Sequence, residues 1–161
     1  TRMESGSQLI GKEIFTLNNI IDEIADELNI MPEEERMYLH SNFNEQVVMN
    51  GNASLIGSIF RNLTENAIAY SGGKNIYISL VDNNEESCTI RFEDDGCGVE
   101  ENQLSRLFER FYRVDKGRSR RMGGTGLGLA IVKHAVQFHG GTVAVSNREE
   151  GGLRFEFSLR K

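Results

Sequence analysis

A two-layer α/β sandwich is the architecture this sequence predicts, with a mixed, mostly antiparallel sheet carrying helices on one face. Three observations predict it. Two pairs of segments alternate apolar and polar residues with period two, as hairpins do, and two others repeat apolar residues at helical spacing. The polar alternates Thr89, Arg91, Glu93, Arg154, Glu156 and Ser158 leave the second sheet face to water. The 161 residues suit one domain, and two cysteines outside any C-x-x-C spacing build neither a disulfide framework nor a four-ligand zinc site.

Taken in chain order, Leu17, Ile20, Ile21, Ile24 and Leu28 recur between polar residues and form an amphipathic helix ahead of Pro32. Arg36 to Met49 alternates weakly and holds two short strands. From Ala53 to Ser71, Leu55, Ile56, Ile59, Phe60, Leu63, Ala67 and Tyr70 make a stripe about 140° wide, the strongest helical signal in the chain. Ile76, Ile78 and Leu80, then Cys88, Ile90 and Phe92, form a hairpin joined by Asp82 to Glu86. A short helical segment runs through Leu104, Leu107 and Phe108. A charged stretch extends to Met122, and glycines open an apolar helix from about Leu127 to Phe138 that Gly140-Gly141 ends. Val143 and Val145, a turn at Arg148 to Gly152, and Leu153, Phe155, Phe157 and Leu159 finish with a second hairpin.

A net charge of −6 disfavours nonspecific nucleic-acid binding, which needs a basic surface to displace phosphate counterions. The apolar runs fall short of the ~20 residues that cross a bilayer, so no membrane contact is expected of this segment. Glycine stands out: 17 residues are about 11% of the chain, against a usual ~7%. Eleven of them fall between Asp94 and Gly152 at fixed places among apolar segments, as backbone devices rather than linker.

Four groups of residues can carry chemistry. Asn62 and Asn66 lie four apart at the border of the apolar stripe, where an amide oxygen can meet a hard cation or bond to local backbone. Asp94-Asp95-Gly96-Cys97-Gly98 puts a carboxylate where a strand leaves the sheet. It can accept from an adenine amine, or simply close an Asx turn. Gly123 to Gly128 places four glycines in six residues before a helix, an arrangement that favours phosphate or serves as a tightly packed hinge. It has neither the Lys-[Ser/Thr] ending of a Walker A loop nor the strand context of a Rossmann site. Between Glu109 and Gly123, six cations (Arg110, Arg113, Lys116, Arg118, Arg120 and Arg121) outnumber two acids, as in a lid over an anion or a solvated loop that meets an acidic partner. The three histidines have no adjacent carboxylate and read as structural or surface residues.

In this order the segments resemble the catalytic and ATP-binding domain of bacterial sensor histidine kinases, within the GHKL class of Bergerat-type ATP-binding folds. Asn62-Leu63-Thr64-Glu65-Asn66-Ala67 is similar to the N box, and Asp94 to Gly98 to the first glycine box. Phe108-Glu109-Arg110-Phe111-Tyr112-Arg113 is similar to the F box, and Gly124-Thr125-Gly126-Leu127-Gly128-Leu129 to the second glycine box. Arg2-Met3-Glu4-Ser5-Gly6 resembles the end of a dimerization and phosphoacceptor hairpin. That implies a remnant of the hairpin and linker at residues 1–10 and a catalytic domain at 11–161.

The resemblance implies ATP and Mg²⁺ as cofactors. Asn66 becomes the metal ligand with Asn62 in support, Asp94 the reader of the adenine amine, and Gly96 and Gly98 the shapers of its pocket. Gly124, Thr125, Gly126, Leu127 and Gly128 surround the phosphates, and Arg113 neutralises the transferring phosphoryl group. The implied acceptor is a histidine of a dimerization domain absent from these residues, and the implied later partner a response regulator reached through the full-length protein. The implied location is cytoplasmic, with inner-membrane anchoring of the parent left open. A nucleotide-holding pseudokinase or a regulator-docking module is the alternative. Ala69 supports it, standing where a phosphate-contacting lysine is common; Cys97 in place of a frequent proline, and Leu153 where threonine is common, are further departures. Hydrolytic GHKL members carry a general-base glutamate at the place of Asn62, and an amide cannot take a proton from water. Slow intrinsic hydrolysis is therefore expected.

Overall fold

A computed structural model describes residues 11–110 and 127–161. The expected hairpin remnant at 1–10 lies outside these residues. So does the lid stretch, with Arg113, Gly124, Thr125 and Gly126.

Strand β1 (Glu13–Thr16) runs directly into helix α1 (Leu17–Asn29), followed by β2 (Tyr38–Asn42) and β3 (Val48–Gly51). Helix α2 (Ala53–Asn66) continues into a π-helical turn (Ala67–Ser71), and then come β4 (Asn75–Asn83), β5 (Ser87–Asp94) and the short α3 (Glu101–Leu104). Helix α4 (Gly128–Phe138), β6 (Val143–Asn147) and β7 (Leu153–Arg160) complete the described chain.

The main sheet has the order β2-β4-β5-β7-β6, antiparallel except for the parallel β2–β4 pair, while β1 and β3 form a separate antiparallel ribbon. Both expected hairpins are present. The first turn is tighter than the sequence suggests, because the β4–β5 ladder passes a bulge between Leu80 and Asp82, resumes at Asp82↔Thr89 and runs on to Asn83↔Cys88. Strand β1 was not anticipated, since four residues with no turn before the helix carry too little pattern.

Period-two alternation puts Ile76, Ile78, Cys88, Ile90, Phe92, Phe155, Phe157 and Leu159 on one buried sheet face. Helices α1, α2 and α4 cover it with Leu17, Ile24, Ile56, Phe60, Leu63, Val132 and Val136, and Phe60 meets Phe157 edge to face at 5.8 Å. Phe108 packs edge to face on Phe155 at 6.0 Å, as core rather than surface. On the opposite face, charges pair across the ladder, Arg91 with Glu156 and Arg154 with Glu93, each directly opposite its partner in register. This leaves the face half-buried rather than bare.

The expected helix from Ala53 to Ser71 does not stay α-helical to its end. At its N-terminus Asn52 caps the helix by accepting from Leu55 N–H at 2.8 Å. After Asn66 the winding widens to a π turn, and Gly72 at φ 73° ends it in the left-handed region. The wider turn aims the Ser71 carbonyl at Cys97 N–H, 2.9 Å away.

Candidate functional site

The alternation that sends Cys88, Ile90 and Phe92 into the core also sends Asp94 there, and the residue ends 3% exposed at the end of β5. Oδ1 accepts from Gly96 N–H at 2.9 Å and Leu153 N–H at 3.3 Å. The Asx turn is thus real, yet it occupies one oxygen: among the described residues no hydrogen bond reaches Oδ2. Burial pushes the Asp94 carboxyl above the ordinary carboxylate range, the Gly96 and Leu153 amides pull it back, and Asp95 and Arg148 act in opposite senses. Asp95 differs. Burial is the largest influence on it and acts upward, but bonds from the Asn75 side chain and the Asn75 and Lys74 amides outweigh it and hold the group below its usual range. Its two oxygens take all three of those bonds, at 2.8 to 2.9 Å, so Asp95 is committed to structure.

Three neighbours clamp the turn after β5. Gly96 presses so closely on Ser71 that a Cβ would overlap the Ser71 carbonyl. Gly98 takes φ +69°, and the Asn147 side chain bonds both ends of Val99, accepting from its N–H at 3.0 Å and donating to its carbonyl at 2.7 Å. Gly152 lies against the Asp94 carbonyl with no room for a side chain. Asn147, Arg148 and Ser71 were missed by the sequence reading, since common polar residues in turns carry no pattern that marks them.

Helix α2 ties this turn to the start of α4. Asn62, half-buried, donates from Nδ2 to the Ser58 carbonyl at 2.8 Å, and its Oδ1 lies against Gly128, where a Cβ would approach it to 2.9 Å. Leu127 is the N-cap residue of α4 and makes no side-chain cap bond. Asn66, one turn on, is half-buried, and its side chain makes no hydrogen bond among the described residues. One helix with its π turn therefore joins Asn62, Asn66 and Ser71, touching the second glycine box at Asn62 and the first at Ser71.

No group of three or more His, Cys, Asp or Glu that could hold a metal occurs among the described residues. Burial pushes the Cys88 thiol up to about 11, keeping it a neutral core residue. His139 is 1% exposed and structural: its Nε2 accepts from Asn52 N–H at 3.0 Å, so Nδ1 carries the proton toward the Ala135 carbonyl at 2.8 Å. Also among the described residues, no helix is long and apolar enough to cross a membrane.

Residues 51–161 match the family model described as histidine kinase-, DNA gyrase B-, and HSP90-like ATPase. The chain belongs to this family. Relatives of this ATPase-family domain include the sensor protein kinase WalK of Staphylococcus haemolyticus, 34% identical over 161 residues. That alignment takes in 99% of this chain and 26% of WalK, so the chain spans about a quarter of the length of this curated relative. The mycobacterial sensor histidine kinase MprB has the same fold, with a TM-score of 0.76 at 24% identity over 92% of this chain and 97% of that one. Full-length ShkA, solved in complex with AMPPNP, also gives 0.76, at 21% identity over 92% of this chain and 30% of that one.

Proposed function

We propose that this domain binds ATP with Mg²⁺ and transfers the γ-phosphoryl group to a histidine on the dimerization domain of its parent protein, a two-component sensor kinase. A response regulator is then the next acceptor. The observation that carries the reading is the division of labour between two neighbouring carboxylates. Asp95 is fully bonded, while Asp94, buried beside three glycine-bearing contacts, keeps one oxygen for an outside donor. An exocyclic adenine amine supplies such a donor.

The donor set fits the metal as well. Mg²⁺ takes few protein oxygens and completes its shell with phosphate and water, so the half-buried side-chain amide of Asn66, unbonded among the described residues, suits it without the carboxylate cluster those residues lack. Bound there, the ion neutralises phosphate charge. Asn62 buttresses the site by filling the space beside Gly128, and its Nδ2 is already spent on Ser58. The second glycine box, through Gly124, Gly126 and Gly128, offers amides to the phosphates, and Arg113 offsets charge on the transferring group. With an amide at position 62, activation of water has no base and hydrolysis stays slow.

The similar ShkA chain, solved with AMPPNP, supports nucleotide occupancy. The direct test supplies the parent's dimerization hairpin in trans with γ-labelled ATP. Acid-labile phosphohistidine on the hairpin is the expected result; nucleotide binding without label on the hairpin overturns the transfer reading.

A further inference from the structure

The turn between β6 and β7 is folded onto the turn after β5. Arg148 N–H donates to the Gly152 carbonyl at 2.8 Å, and Gly151 N–H returns a bond to the Arg148 carbonyl at 3.2 Å. The Arg148 side chain, only 11% exposed, then crosses to the neighbouring turn, where Nη1 donates to the Asp94 carbonyl at 2.8 Å and to the Gly151 carbonyl at 3.2 Å. Its guanidinium carbon stands 5.4 Å from the centre of the Tyr77 ring. Glu150 Oε1 at 3.7 Å and Glu93 Oε1 at 4.0 Å lie within ion-pair reach of Arg148 Nε, but the other Glu93 oxygen is taken by Arg154, and Nε itself makes no hydrogen bond. A mostly buried cation here spends its hydrogen bonds on two backbone carbonyls and meets carboxylates only at ion-pair distance. Such an arrangement costs desolvation and yields geometry.

We propose that Arg148 is a positioning residue for base recognition: by holding the Asp94 and Gly151 carbonyls from one nitrogen, it pins two turns together and fixes where the Asp94 carboxylate meets the base. The inference rests on the reading of Asp94 as the adenine acceptor. Arg148 also acts through charge. The charged and titratable groups around Asp94, among the described residues, are Asp95 on its own turn, the Glu93–Arg154 pair of β5 and β7, and Arg148 with the exposed Glu150 on the β6–β7 turn. Cys97 on the same turn, Tyr77 and Lys74 from the β4 side and Tyr70 from the π turn are further titratable groups on the elements packed there. Of these, Asp95 raises the Asp94 carboxyl and Arg148 lowers it. Without the guanidinium, Asp94 takes up its proton at a higher pH, and the form that accepts from an amine is lost sooner on acidification.

The test is equilibrium binding of ATP and of inosine triphosphate, which lacks the base amine, to the wild-type chain and to Arg148→Met, Arg148→Lys and Asp94→Asn across a series of pH values. Arg148→Met should weaken ATP binding by roughly tenfold while hardly changing inosine triphosphate, and should move the acid-side loss of ATP affinity to higher pH. Arg148→Lys keeps the charge but not the planar fork. It should leave the acid limb in place and still narrow the ATP preference, which keeps the inference open to test even where the methionine variant fails to fold. Equal weakening of both nucleotides, or an unchanged preference in both Arg148 variants, overturns it. Asp94→Asn separates the two readings: unchanged ATP affinity there defeats the adenine assignment itself, whereas a selective loss there with no selective loss at Arg148 defeats only this inference.

Discussion

Asp94 and His139 show how much one side chain decides. In Asp94, Oδ1 accepts two amides, and Oδ2 takes no hydrogen bond among the described residues. Asp94→Asn keeps an acceptor for the amides and turns the other atom into a donor that faces a ligand amine. ATP affinity should fall by about 5- to 150-fold, or roughly 1–3 kcal/mol, in a calorimetric titration. An unchanged affinity in a folded variant removes Asp94 from the site. His139 links the cap of α2 to the last turn of α4 as a neutral ring, and burial, the largest influence, holds its pKa below the ordinary value of 6.5. The unfolded chain therefore binds the proton more readily. This contribution to stability is complete above pH 6.5 and is lost as pH falls through 6.5 toward the lowered value, at up to about 1.4 kcal/mol per pH unit. Urea unfolding of the wild type and His139→Gln at pH 7.5 and 5.5 measures it. The stability gap should narrow at the lower pH, and parallel curves contradict the assignment.

Among the elements, the π turn after α2 does the most to organise the site, because it carries the Ser71 carbonyl to Cys97 N–H. Gly96→Ala drives a Cβ into that carbonyl, a backbone group that cannot swing aside. The variant should lose about 1–3 kcal/mol of stability together with its nucleotide affinity. Gly57→Ala in α2 is the control, since its Cβ meets only the far end of Arg61 at 3.2 Å and helix propensity favours alanine by about 1 kcal/mol. Equal losses in the two variants contradict the role given to the π turn. The turn was hidden in the sequence, because Ala67 and Tyr70 continue the apolar stripe whether the winding is α or π. The parallel β2–β4 pair was hidden for another reason, as pairing across some thirty residues leaves no local mark. Helices α1 and α2 and both hairpins were legible because each buries one face against a common core.

At the scale of the whole molecule, the candidate site residues came from four ordered stretches that resemble a known family, and the structure packs one from the first stretch, Asn62, against one from the last, Gly128. What holds them could not be read. Arg148, Asn147 and Ser71 sit in ordinary polar turns, and their importance arises only when β6, β7 and the π turn converge on the end of β5. Family membership places the chain among ATPase-family domains, and its fold is that of MprB; the claim that remains to be measured is that one nucleotide engages both glycine boxes, which pack on the C-terminal half of α2 and on its π turn. Backbone amide NMR during a titration with Mg²⁺ and a non-hydrolysable ATP analogue measures this directly. Asn66, Gly96, Gly98 and Gly128 should shift together with a single dissociation constant, and Asn66→Ala should remove the dependence on Mg²⁺. Shifts confined to Gly128 or to Gly96 and Gly98 alone, or two separate binding constants for the two glycine boxes, would contradict a single shared site.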